Sequence, residues 1–260
     1  MTKSQQYNAT IARRHDLHAN LMLLSIVPDG GEFAPFLPGQ FVSIGRVVRT
    51  ADGAELVKRS YSIGSSATDR SSIELFLVHV NDGEFTSWLF GKREGSRLWM
   101  SPRASGGFTL EGFPPGQDLV LVSTGTAVAP YVSMIRTHQD DPPWRRLVLI
   151  NGVRCAADLG YRAELEAAAR RPGVTYLPMV TREPPGSDWN GLRGRVGEAL
   201  VPDRFAGLTG FPLDPDSCHV YLCGNPLMIE DTEQSLRARG FRKHTRHHPG
   251  TLHLEKYWNE

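Results

Sequence analysis

Within four residues, Arg59-Ser60-Tyr61-Ser62 combine a fixed cation, an aromatic face and a small hydroxyl. Their pattern predicts a strand, on which residues two apart share a face, so Arg59 and Tyr61 point one way and Ser60 and Ser62 the other. A ligand lying along such a strand meets an anion clamp and a stacking platform together, which suits a phosphate-bearing molecule with a flat ring. An exposed arginine beside a half-buried tyrosine is also ordinary sheet chemistry, and the tetrapeptide alone does not separate the two. A second candidate begins where Leu119-Val120-Leu121-Val122 runs into Ser123-Thr124-Gly125-Thr126-Ala127-Val128-Ala129-Pro130 and a helix. Strand, Gly/Thr turn and helix N-terminus are the parts of a phosphate site. The pattern is neither GxGxxG nor a Walker loop, and a tight turn with a threonine cap also accounts for it.

Arginines recur just past strand ends, at Asn151-Gly152-Val153-Arg154, at Val180-Thr181-Arg182 and at Gly194-Arg195. On the rim of a parallel sheet a guanidinium suits a 2′-phosphate through planar bidentate bonding, whereas any one of them taken singly reads as a solvated charge. Cys223-Gly224-Asn225-Pro226-Leu227-Met228 ends another strand; a small thiol followed by glycine leaves room for a ring to approach, and a buried small hydrophobe is the plainer reading of Cys223. Thr86 and Ser87, in the first turn of a short helix over Glu84 to Gly91, serve either as caps or as phosphate contacts. The basic run Phe241 to His248 carries three histidines without a further set of ligands, so no metal site is expected; it reads as a solvated loop or a docking patch for an acidic electron-transfer partner. No motif arranges Ser, His and Asp as a triad.

The elements that must position these residues fall into two halves. From Asn8 to about Leu110, short apolar segments near Ala9 to Val27, Phe41 to Val48, Ser60 to Gly64 and Ile73 to Val80 are separated by Gly and Pro turns, predicting an antiparallel β-barrel with one helical interruption. The breaker-rich stretch Glu111 to Gly116 places the boundary, giving domains 1–112 and 113–260. Beyond it, strands at 119–122, 147–151, 174–180 and 219–223 alternate with helical patterns at 127–138, 159–170 and 228–239, predicting a doubly wound α/β parallel sheet. In such a sheet ligands bind at the carboxyl ends of the strands.

The totals bound the function. With 260 residues, 40% of them apolar, the chain has material for two modest domains, and a net charge of +1 argues against a nucleic-acid binder working through bulk electrostatics. The start of the chain lacks the apolar core of a signal peptide, and the longest apolar run, Leu21 to Val27, is too short to span a bilayer; a cytoplasmic protein without a membrane span is expected. Cys155, Cys218 and Cys223 form no CxxC pair and are too few for an iron–sulfur cluster, so reduced thiols are expected.

Arg-x-Tyr-Ser, Thr-Gly-Thr-Ala-x-x-Pro, Cys-Gly-Asn-Pro-x-Met and an aromatic C-terminus, in this order and over nearly the whole chain, resemble a bacterial ferredoxin–NADP⁺ reductase. The resemblance implies an FAD-binding barrel and an NADP(H)-binding second domain, with the two cofactors meeting where the domains meet. It implies hydride transfer between NADP(H) and FAD, exchange of single electrons with ferredoxin or flavodoxin, and a monomer. For FAD it implies Arg59 at the pyrophosphate, Tyr61 stacked on the isoalloxazine, Ser62 near its N5, and Glu84, Phe85 and Thr86 as a second wall of the pyrophosphate site, with Ser60 and Leu77 also among the cofactor-binding residues. For NADP(H) it implies Thr124, Gly125 and Thr126 at the phosphates, Val153, Arg154, Thr181, Arg182 and Arg195 at the adenosine end, and Cys223, Gly224 and Asn225 near the nicotinamide. Tyr257 and Trp258 resemble the family's terminal flavin cover, although here Asn259 and Glu260 follow. Glu255 stands two before Tyr257, a spacing it shares with a glutamate that plant-type members place near the flavin, so the resemblance implies a proton relay; an exposed tail carboxylate is the other reading. The rivals are an NAD(P)H:flavin reductase, the reductase component of an oxygenase, and a redox-silent flavin binder.

Overall fold

Leucine, isoleucine and valine at alternating positions build the first half of the chain into strands with one buried face. The computed structural model describes residues 6–51 and 53–256. β1 (Ala9–His18), β2 (Leu21–Pro28), β3 (Phe41–Thr50), β4 (Gly53–Ser62) and β5 (Ile73–Val78) precede the helix α1 (Glu84–Phe90), and β6 (Arg97–Met100) follows it. Their order is β4-β3-β6-β1-β2-β5, and every pairing is antiparallel. The ends of that order meet as well. Ile63, just past β4, bridges Leu75 of β5, and Gly64 N–H donates to the Glu74 carbonyl at 2.8 Å, so the sheet closes into the expected barrel.

Ile11, Met22, Leu24, Ile26, Ile44 and Leu75 fill the barrel with no solvent exposure. Each such side chain contributes about 1.5–3 kcal/mol, against roughly 0–1 kcal/mol for a surface ion pair, so patterning rather than charge sets this half. Two expectations are refined here. The segment Ala9 to Val27 is a hairpin of two strands turning at residues 19–20, and β6 was not anticipated, because Arg97-Leu98-Trp99-Met100 is too short to show a period.

The second half reads β7 (Asp118–Thr124), α2 (Ala129–Thr137), β8 (Leu147–Val153), α3 (Arg162–Ala168), β9 (Val174–Val180), β10 (Leu192–Arg193), α4 (Val196–Ala199), α5 (Pro202–Thr209), β11 (Cys218–Gly224), α6 (Pro226–Arg237) and β12 (Leu252–Lys256). All pairings are parallel, in the order β10-β9-β8-β7-β11-β12. The chain moves outward from β7 through β8 and β9, then returns to the other side of β7 with β11, which makes the β7/β11 junction the switch point of a doubly wound sheet. β7 and β8 are buried along nearly their whole length, as a sheet covered on both faces requires.

The chain divides into two compact units, residues 1–111 with 129–137 and residues 112–128 with 138–260. The helix expected over 127–138 starts two residues late: 125–128 form a 3₁₀ turn, and α2 proper begins at Ala129 and packs with the barrel unit. Its bonds there are specific. Ser133 Oγ donates to the Ser65 carbonyl at 2.7 Å, and Arg136 donates to the Gly64 carbonyl at 2.9 Å and to Glu74 Oε1 at 2.6 Å. No described helix is long and apolar enough to cross a membrane.

Candidate functional site

In the barrel unit, strand geometry puts Arg59 and Tyr61 on one face, and both meet α1. The Arg59 guanidinium lies 5.9 Å from the centroid of the Phe85 ring, and Tyr61 is offset-stacked on that ring at 6.4 Å and 29°. Trp88 extends the aromatic wall, 5.4 Å from Phe85. Burial pushes the Tyr61 hydroxyl up to about 12 despite the Arg59 charge, so it stays protonated and the ring remains neutral at any ordinary pH. Arg59 itself is exposed and, among the described residues, its guanidinium hydrogen-bonds the neighbouring Lys58 carbonyl at 2.8 Å, which leaves donors for an anion. Ser60 is exposed and its Oγ meets Ser43 Oγ at 3.2 Å across the strand pair, while Ser62 is only 6% exposed. Thr86 closes the turn before α1, its Oγ1 donating to the Gly83 carbonyl at 3.1 Å, and exposed Glu84 approaches Arg46 at 3.4 Å. Leu77 lies inside the barrel at 1% exposure, so its side chain serves packing.

In the parallel-sheet unit the expected residues stand strand by strand along one rim. β7 ends at Thr124 and adjacent β11 at Gly224, and Thr124 Oγ1 accepts the Asn225 N–H at 3.0 Å, tying the two ends together. Gly224 has φ +132°, and a Cβ placed there would lie 2.3 Å from Thr124 Oγ1 and 3.1 Å from its nitrogen. Only glycine lets the strand ends approach this closely. Gly125 (φ +58°) then turns the chain into the 3₁₀ segment, with Thr126 largely buried. Asn225 caps α6 by accepting from Leu227 N–H at 2.9 Å, which commits its side chain to the helix.

On the next two strands along the rim, Arg154 follows β8 and Arg182 follows β9, held side by side by a main-chain bond from Arg182 N–H to the Arg154 carbonyl at 2.7 Å. Val153 is buried, and its carbonyl takes both the N–H and, at 3.2 Å, the hydroxyl of Thr181. Arg195 lies past β10 at the start of α4, its N–H bonded to Glu198 Oε1 at 2.8 Å. Among the described residues the Arg182 and Arg195 guanidiniums make no ion pair, whereas Arg154 pairs with Asp158 at 3.2 Å. From β9 to β11 the rim spans three strand spacings, about 14 Å, with cations at one end and small residues at the other.

β12 brings Glu255 beside Cys223. The two are register partners, with Sγ and Oε1 4.0 Å apart. Burial raises the Glu255 carboxyl to about 7, so it exchanges a proton near neutrality, while burial and then the Glu255 charge push the Cys223 thiol far above its ordinary range and keep it an un-ionised, fully buried group. Glu255 is therefore not a free tail carboxylate. Tyr257 and Trp258 lie outside the described residues. The three cysteines are free thiols, and among the described residues no group of three or more His, Cys, Asp or Glu side chains is arranged so that it could hold a metal ion. Three carboxylates escaped the sequence reading: Asp158, Glu183 and Glu198, each bonded to a segment that carries one of the arginines. The i,i+4 spacing of Arg154 and Asp158 was the available signal.

Residues 121–234 match the model of the oxidoreductase NAD-binding domain. The chain is 34% identical over 227 residues to the flavodoxin/ferredoxin–NADP reductase of Escherichia coli K12, covering 86% of this chain and 88% of that protein. It is 30% identical to the ferredoxin–NADP reductase of Pseudomonas aeruginosa, covering 94% and 95% respectively. Among solved structures, a ferredoxin NADP⁺ reductase from Neisseria gonorrhoeae with bound FAD and NADP superposes with a TM-score of 0.85 at 25% identity, covering 96% of this chain and 98% of that one.

Proposed function

The chain belongs to the family of flavodoxin/ferredoxin–NADP reductases, and from that premise we propose how its own residues divide the work. It is an oxidoreductase that uses FAD and NADP(H). When bound, FAD supplies the exchange between hydride chemistry with the nicotinamide and single-electron chemistry with a ferredoxin or flavodoxin carrier. The barrel unit takes the flavin nucleotide. Arg59 bonds its pyrophosphate with the donors that Lys58 does not use, Tyr61 stacks on the ring system, and the wall of Glu84, Phe85 and Thr86 bounds the other side. Ser62 ends β4 directly after Tyr61 with its small hydroxyl largely buried, and its role is to hydrogen-bond the reacting edge of the ring.

The parallel-sheet unit takes the nicotinamide dinucleotide along its rim. Thr124, Gly125 and Thr126 offer small side chains and main-chain donors to the phosphates, and Arg154, Arg182 and Arg195 grip the 2′-phosphate at the adenosine end. Cys223 and Gly224 leave space for the nicotinamide, and Glu255 holds or releases a proton at its carboxyl beside them. The donor set fits a dinucleotide carrying a 2′-phosphate: cations stand at one end of the rim, and at the other Gly224 lets the ends of β7 and β11 close up behind small residues. That rim, with Arg154 and Arg182 joined at one end and Thr124 and Gly224 at the other, carries the reading. The free thiols suit a reducing compartment, which supports a cytoplasmic site of action.

Anaerobic titration of the purified yellow protein tests this. NADPH is expected to bleach the flavin absorbance, and reoxidation by ferredoxin or flavodoxin to follow. R182A/R195A is expected to raise the NADPH requirement by at least tenfold more than the NADH requirement. Equal losses for both nucleotides would sink the 2′-phosphate assignment, and a protein that stays oxidised under NADPH would be a binder only.

A further inference from the structure

An acid beside a site for a phosphate dianion is unfavourable on charge alone, yet Glu183 directly follows Arg182. Its carboxylate has another task. Oε2 accepts the Ala156 N–H at 2.5 Å, two residues beyond Arg154. That amide opens the 3₁₀ turn over Ala156–Asp158, whose first N–H groups have no partner within the turn. The same two segments are tied by the Arg182 N–H to the Arg154 carbonyl at 2.7 Å and by the Cys155 thiol to the Arg182 carbonyl at 3.3 Å. Asp158 folds back to accept from Arg154 Nε at 3.2 Å and from the Cys155 N–H at 3.4 Å. On the far side, Arg193 reaches the Glu183 carbonyl at 3.3 Å.

Bonds from Thr181 to Val153, and between Arg182 and both Arg154 and Cys155, join the two segments as far as Cys155 and leave the start of the 3₁₀ turn beyond it to be held separately. The Glu183 tie at the Ala156 amide extends that hold into the turn, so that Arg154 is braced on both of its sides. A bidentate grip on one phosphate needs both guanidiniums at a set distance and angle, because the energy of a planar fork is lost when either rotates away. We propose that Glu183 is a positioning residue for 2′-phosphate selectivity, locking the Arg154 loop against the Arg182 strand end through the Ala156 amide. It acts as a hydrogen-bond acceptor, not through its charge, and touches no ligand itself. The inference rests on the reading that Arg154 and Arg182 hold the adenosine end.

The test is calorimetric titration of the FAD-loaded protein with adenosine 2′,5′-bisphosphate and with 5′-AMP, which isolates this subsite from electron transfer. Glu183→Ala is expected to weaken the bisphosphate five- to tenfold relative to 5′-AMP, the size of one lost hydrogen bond. Glu183→Gln keeps an acceptor at the same reach and is expected to stay within twofold of wild type. In steady-state assays the loss in E183A should fall on the KM for NADPH, not on kcat. An unchanged or tightened ratio in E183A overturns the proposal, and so does a loss in E183Q equal to that in E183A, which would make the charge the active feature. Glu183→Ser repeats the measurement if E183A fails to fold. Arg182→Ala runs alongside: a loss there with none in E183A overturns the positioning role alone, whereas an unchanged ratio in R182A itself overturns the underlying site.

Discussion

Single residues in this protein act through how closely they let the main chain approach. Gly224 shows the limit. Its φ of +132° is a conformation L side chains rarely adopt, and the space a Cβ needs is already filled by Thr124. Gly224→Ala therefore has to shift the strand ends, at a cost of about 2–4 kcal/mol. For a chain of this size that is a fall in Tm of roughly 5–12 °C. It should also break the bond from the Asn225 N–H to Thr124 and so weaken NADP⁺. The double variant T124A/G224A relieves the steric part and is expected to recover some of the lost stability, since the two residues touch and their effects should not add. Thermal unfolding of the three variants measures this, and a G224A protein melting with wild type would show that the clash does not matter.

At the scale of the element, the C-terminal strand β12 is the least anticipated feature and the one with a pH dependence. His253 stacks on Tyr221 at 4.0 Å and 5° and on His244 at 4.5 Å, and its Nε2 meets His219 Nδ1 at 3.2 Å. Burial first, then the His244 and His219 charges, lower His253 to about 3, so the native state holds it neutral. The native state thus binds fewer protons than the unfolded chain below pH 6.5, and stability present above that value is lost as pH falls toward 3. Between pH 6.5 and 5 the loss is about 2 kcal/mol. His253→Phe keeps a ring in the stack and removes the titration. It is expected to be less stable than wild type at pH 7 for want of the His219 bond, yet to lose about 2 kcal/mol less on acidification to pH 5. Urea unfolding at the two pH values gives the difference, and hydrogen exchange at residues 252–256 should show the strand opening. Parallel slopes for both proteins would remove His253 as the acid-sensitive group.

For the whole molecule, the compact units do not coincide with a single cut in the chain. Residues 112–128 fold with the parallel sheet, whereas α2, immediately after them, folds with the barrel. The barrel closes where β4 and β5 meet, and α2 bonds that seam: Arg136 to Gly64 and Glu74, Ser133 to Ser65, and the Thr137 hydroxyl to Ala67 N–H at 2.9 Å. A fragment of residues 1–111 lacks all of these. It is expected to show a broad, low-cooperativity urea transition and poor amide dispersion even with FAD present, in contrast to the full chain. A cooperative transition in 1–111 matching that of the full chain would show that α2 is dispensable to the barrel.

The order of short alternating strands before apolar strands and helices was enough to read a barrel followed by a doubly wound sheet, because side-chain periodicity is a local property of the chain. The Arg59-Tyr61 face, the Thr124-Gly125 turn, and Arg154 and Arg182 at strand ends were legible for the same reason. Other features were decided only when distant segments met. β6 and β12 are too short to carry a period, and pairing with β1, β3 and β11 makes them strands. Glu255 is spaced like a tail residue, and register with Cys223 is what buries it and lifts its carboxyl toward neutrality. Glu183 reads as a surface acid until its carboxylate is seen on the Ala156 amide, a bond across 27 residues of sequence. Local sequence specifies which groups are available and which face of an element they share. Their burial, protonation and orientation depend on neighbours that only the folded chain supplies.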